Sequence, residues 1–137
     1  MPRLLPLLAL VTLAASGCVT TASSSGTSSD RALVGRWDME RITDGRTDVT
    51  AEANPAGDRF ITLHADGTFE SGGQPYGRNT GRWTLDPAYN ELILESDLGD
   101  ADDSYWIVTL DGDEMEWAGV RSETARRFRI LSRRATR

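Results

Sequence analysis

Short runs in which hydrophobic and polar residues alternate fill most of the chain from residue 33 onward, and no apolar spacing of 3.6 persists for three turns. Gly, Asp, Asn or Pro interrupts these runs every eight to twelve residues, the rhythm of an all-β domain. Strands are expected near residues 34–42, 58–64, 67–72, 80–85, 91–96, 104–110, 114–120 and 125–132, eight in all. Asp66-Gly67 and Asp111-Gly112 stand between alternating runs, and Asp-Gly favours a tight hairpin because glycine accepts a positive φ. Asp86-Pro87-Ala88-Tyr89-Asn90 supplies a further turn, with proline early and asparagine late. The longest connection, 44–57, is expected to hold a helical turn at residues 49–53 stopped by Pro55.

The period of two also sorts the side chains into faces. Trp37 and Met39, Trp83 and Leu85, Leu92 and Leu94, Trp106, Val108 and Leu110, Met115 and Trp117, and Phe128 and Ile130 share one face. Arg36, Asp38, Glu40, Arg82, Thr84, Glu116 and Arg129 fall on the other. From Phe60 to Leu63 the alternation does not choose between faces. Eight such strands close into a small up-and-down antiparallel β-barrel, with an interior that is filled by side chains or holds one small ligand. Trp83, Trp106, Trp117, Met115 and Phe128 either fill that interior or line a cavity in it.

The first seventeen residues have the layout of a secretory signal, with Arg3 ahead of an apolar stretch at residues 4–15. That stretch is too short to cross about 30 Å of hydrocarbon as a helix. Ala14-Ala15-Ser16-Gly17-Cys18 resembles the lipobox of bacterial lipoproteins, which implies cleavage before Cys18 and diacylation of its thiol. Two or three acyl chains anchor a protein stably. The residue after the cysteine is Val19 rather than aspartate, which by the same resemblance implies the outer membrane, facing the periplasm. Residues 18–32 are expected to be a flexible Ser/Thr-rich tether, since their composition buries too little apolar surface to offset ordering. A single barrel domain over 33–132 and a basic tail at 133–137 complete the organisation, and a monomer is expected.

Cys18 is the only cysteine, so lipidation leaves no thiol for chemistry. His64 is the only histidine, and there is no Gly-x-Ser-x-Gly elbow to build a hydrolase around it. Asp97, Asp100, Asp102 and Asp103 crowd one loop with the oxygen ligands calcium takes, but not at EF-hand spacing. No catalytic residue, metal site or cofactor is assigned. The net charge is −6, all fifteen basic residues are arginine, and residues 121–137 carry a balance of +6. An acidic, exported chain with one aromatic in its basic tail is a poor nucleic-acid binder, so the last strand is expected to sit beside acidic neighbours.

Leu33-Val34-Gly35-Arg36-Trp37, Phe60-Ile61-Thr62-Leu63, Asp66-Gly67-Thr68-Phe69, Gly81-Arg82-Trp83-Thr84-Leu85 and the hairpin at residues 111–117 resemble, in that order, the bacterial lipocalin-like domains of small lipoproteins. The resemblance implies that Gly35 and Trp37 form the barrel floor. It also implies that an arginine of the last strand, Arg127 or Arg129, packs across Trp37 as a cation on an aromatic face. It implies a membrane-tethered, non-enzymatic protein that binds a small apolar ligand in the cell envelope. The alternative is an interaction or inhibitor protein, in which a filled barrel frames the loops 44–57, 72–80 and 96–104 against another macromolecule. An apolar interior of about 300 Å³ or more would favour the carrier, and its absence the frame.

Overall fold

The computed structural model describes residues 28–136. Cys18, the apolar leader and residues 18–27 of the expected tether lie outside the described residues. The elements in order are α1 (Ser28–Leu33), β1 (Gly35–Asp44), β2 (Thr47–Asp48), α2 (Thr50–Ala53), β3 (Phe60–Leu63), β4 (Thr68–Gly72), β5 (Asn79–Asp86), β6 (Glu91–Ser96), β7 (Ser104–Asp111), β8 (Glu114–Gly119), α3 (Glu123–Arg126) and β9 (Phe128–Arg134). A single 3-10 turn, Asp100–Asp102, precedes β7.

Strand order is β1-β3-β4-β5-β6-β7-β8-β9, every neighbour antiparallel, and β9 returns to pair with β1. The result is a closed, eight-stranded, up-and-down β-barrel, with the two-residue β2 as a flap on β1. Closure removes the free edges that an open sheet would expose. The seam needs a long first strand: residues 35–38 of β1 pair with β3, and residues 37–44 pair with β9. A bulge between Met39 and Arg41 lets β1 turn from one partner to the other.

Alternation decides what the barrel holds. Trp37, Leu63, Leu92 and Met115 are fully buried, and Ile42, Ile61, Phe69, Trp117 and Ile130 nearly so. The undecided strand β3 puts Ile61 and Leu63 inside and Phe60 and Thr62 outside, where Phe60 carries the Arg36 guanidinium on its face at 3.9 Å. Both expected Asp-Gly hairpins form, with Gly67 at φ +85° and Gly112 at φ +59°. Asp66 accepts hydrogen bonds from the Thr68 hydroxyl and the Thr68 N–H, which hold its carboxyl below the usual range.

Several boundaries differ from the sequence expectation: β1 runs on to Asp44, β3 starts at Phe60 rather than 58, and three further shifts have a visible cause. Residues 28–32, expected in the tether, lie in helix α1, because Leu33 is buried in the core and fixes the chain ahead of β1. The last strand starts at Phe128 rather than 125, because the Ser122 hydroxyl accepts the Ala125 N–H and caps α3 instead. Arg133 and Arg134, expected in a free tail, are ladder residues of β9. The basic strand does lie beside acids: Arg127 pairs with Asp44, Arg129 with Glu116, and Arg133 with both Glu40 and Glu114.

Candidate functional site: the open end of the barrel

The two ends of the barrel are built differently. At one end α1 lies across the opening, among the β3–β4, β5–β6 and β7–β8 turns. Trp37 is sealed beneath it and donates its indole N–H to the Leu33 carbonyl at 2.9 Å. Arg134 stacks on the Trp37 ring at 4.3 Å and donates to the Val34 and Ala32 carbonyls at 2.8 and 2.7 Å. The arginine that crosses the floor is therefore Arg134, and not Arg127 or Arg129. Those two point outward, whereas Ile130, Ser132 and Arg134 share the inward parity. Gly35 opens β1 at φ +138°, and a Cβ there would meet the Arg134 guanidinium at 2.8 Å. Arg134→Ala is expected to cost about 2 kcal/mol, from the lost cation–π contact and two charged hydrogen bonds. Arg129→Ala should stay within about 0.5 kcal/mol, as its ion pair is exposed. Urea unfolding of both variants measures the difference, and equal effects would refute the floor assignment.

Gly81-Arg82-Trp83 repeats the Gly35-Arg36-Trp37 pattern, and its tryptophan also serves the closed end, donating to the His64 carbonyl at 2.8 Å. The glycines differ. Gly81 lies inside β5, pressed against the Glu95 carbonyl across the ladder.

At the other end the barrel stays open, and a cleft of about 130 Å³ enters it. Its floor is apolar and aromatic, built by Met39, Ile61, Phe69, Leu94, Trp106, Trp117 and Ile130. Trp106 and Trp117 meet edge to face with ring centres 6.1 Å apart. Their N–H groups are satisfied by the Ser104 and Ser132 hydroxyls at 3.0 and 2.8 Å, and Ser132 in turn donates to the Met115 carbonyl. These bonds fix both rings, so the floor is preorganised. The rim is polar: Arg59, Ser71, Tyr76, Asn79, Asp102 and Ser104 border the mouth. Arg59 stacks on Tyr76 at 4.5 Å, and burial holds its pKa below the ordinary arginine value.

Of the five residues that alternation offered as interior lining, the cleft brings together Trp106 and Trp117. Met115 is buried in the core below them, Trp83 belongs to the closed end, and Phe128 packs half-buried where β9 begins, opposite Asp44. Larger depressions of about 640 and 350 Å³ flank α1 at the closed end, and an open one of about 270 Å³ lies between β7 and α3, bordered by Ser104 and Trp106 of the mouth.

The loops 44–57, 72–80 and 96–104 all gather at the open end, and large apolar residues are exposed there, Tyr76 at 69% and Leu98 at 67%. The acidic loop is tied into the fold: Asp97 accepts from the Thr80 hydroxyl and Asp103 from the Ser96 N–H. Among the described residues no group of three or more His, Cys, Asp or Glu side chains could hold a metal ion. Nor is any helix there long and apolar enough to cross a membrane, which says nothing of strands. Alternation contained the signal for Arg134 and Ser132, each in step with Ile130. Nothing in the sequence marked Arg59, which precedes the one strand whose parity was undecided.

The fold is that of a closed antiparallel β-barrel protein, and comparisons with known proteins extend this no further than architecture. The sequence matches no protein-family model and no curated protein. Its structure is similar to the crystal structure of a DUF4847 family protein from Bacteroides vulgatus, with a TM-score of 0.53 and 14% identity over 77% of this chain and 95% of that one.

Proposed function

We propose that this is an envelope lipoprotein with a lipocalin-like barrel and no catalytic role, which engages a macromolecular partner through the open end. The observation that carries the reading is the size of the mouth cleft. At about 130 Å³ it has room for one side-chain-sized group, well below the roughly 300 Å³ at which sites for small ligands of ordinary size begin. The rest of the interior is filled by Trp37, Leu63, Leu92 and Met115, so a long apolar ligand has no channel to follow. Three loops and two exposed apolar side chains around the same mouth favour a surface partner over a carried lipid. The Gly-x-Trp floor with Arg134 across it supports the lipocalin likeness.

Lipid on Cys18 would hold the protein to the outer membrane, with the mouth on the side away from the attachment, because the chain enters the barrel at the closed end through α1. Cells fed a fatty-acid analogue are expected to label the protein, and Cys18→Ala to abolish the label. Label persisting on the variant would rule the anchor out. Titrating tryptophan emission with a long-chain fatty acid, a retinoid and haem is expected to give no saturable change. Saturation by any of them would overturn the frame in favour of a carrier.

A further inference from the structure

We infer that the mouth cleft receives the carboxyl-terminal residue of a partner polypeptide, its apolar side chain on Trp106 and Trp117 and its α-carboxylate on Arg59. The inference rests on the open end being an interaction surface. A cleft of about 130 Å³ is close to what one benzene ring occupies in an apolar protein cavity, the size of a leucine, methionine or phenylalanine side chain.

The charge of the occupant follows from Arg59. It borders the cleft half-buried, gives Nη1 to the Ala53 carbonyl at 3.1 Å, and forms no ion pair among the described residues. Burial without an acid works against its charged form, so an arriving carboxylate would relieve a cost already present. The planar guanidinium, steadied on Tyr76, suits a forked carboxylate contact. Arg59 leads into β3 and Asp102 precedes β7, four places apart in a ring of eight strands and therefore on opposite sides of the mouth. With the terminal carboxylate on Arg59, Asp102 faces the part of the chain that carries N–H donors. The preceding residues then run past Asp102 toward exposed Leu98 on the same loop, apolar surface that a compact free acid would leave uncovered.

The test needs no knowledge of the natural partner. Tetrapeptides ending in leucine, methionine, phenylalanine or valine are titrated into the intact protein while tryptophan emission is read, each as free acid and as carboxyl-terminal amide. Saturable binding of at least one acid is expected, weakened at least tenfold in its amide. Arg59→Gln should lose the same factor while melting within a few degrees of the parent, Arg59→Lys should recover part of it, and Arg82→Gln, exposed on the outer wall of β5 and away from the cleft, should bind normally. An amide as tight as its acid overturns the proposal, as does silence from all four acids. If 3-phenylpropionate binds as tightly as the peptides, the occupant is a free small acid and the polypeptide is refuted. An amide as tight as its acid, or silence from all four acids, leaves the frame reading standing, whereas a free small acid in the mouth or a long apolar ligand that saturates the barrel overturns it.

Discussion

Trp37→Ala is expected to lower the unfolding free energy by about 3–5 kcal/mol, the range for removing a large aromatic from a packed core. Trp37 has no exposed surface, donates to the Leu33 carbonyl and carries the Arg134 guanidinium on its face. The substitution leaves a void under α1 and takes away the surface on which Arg134 rests. At about 4–8 °C per kcal/mol for a domain of this size, the midpoint should fall by roughly 12–40 °C. Thermal and urea unfolding read both quantities. A loss below about 1 kcal/mol would mean that the closed end is not held by its tryptophan. The mouth should be spared: the edge-to-face signature of Trp106 and Trp117 in near-ultraviolet circular dichroism is expected to persist in the folded variant at low temperature.

Gly81→Ala is the second large effect, with a different cause. The backbone of Gly81 is extended and accessible to any residue, so conformational freedom is not at issue. Space is: an added Cβ would stand 1.9 Å from the Glu95 carbonyl oxygen and 2.8 Å from the Phe69 ring. The ring can swing, but the carbonyl belongs to the β5–β6 ladder, where Gly81 faces Ser96 and Arg82 faces Glu95. Relief therefore requires parting two strands, and the cost should reach or exceed about 3 kcal/mol, the upper end of overpacking. Gly112→Ala provides the contrast. Its Cβ would meet nothing within 4 Å, so only the positive φ is penalised, at about 1 kcal/mol. Matched losses in the two variants would refute the steric account.

The fold was legible because a closed meander buries one face of every strand, so a period of two in Trp106, Val108 and Leu110, or in Met115 and Trp117, is a direct record of the barrel wall. Where that record failed, the cause was local. Phe60-Ile61-Thr62-Leu63 offers large apolar groups at both parities, and Arg36 resolves the choice by covering Phe60 from outside. The helix at α3 reads as strand because Arg126 and Arg127 interrupt no apolar stripe, although Ser122 followed by Glu123 is a start signal.

The site was half legible. Trp106 and Trp117 follow from alternation. Which tryptophans border a void and which are sealed depends on shear and on what plugs each end, and neither is written in any single strand. Arg59 depends on a tertiary coincidence, the stacking of one loop residue on Tyr76 from another loop. Arg134 was within reach of the alternation. Its distance from Ile130 fits the inward parity, but an arginine at the end of a strand reads as solvent-facing until Trp37 gives it a surface to lie on.

The closed end also determines how the molecule meets a mechanical load. Tension arriving from the chain ahead of Ser28 passes through α1 before it reaches any strand. The end of the helix is clasped by Trp37 from the first strand, which donates to the Leu33 carbonyl, and by Arg134 from the last, which donates to the carbonyls of Ala32 and Val34. A tug is thus shared across the seam where the barrel closes rather than peeling β1 away from it. The short helix behaves as a strain relief, and the mouth, at the far end of the staves, is isolated from any pull on that end of the chain.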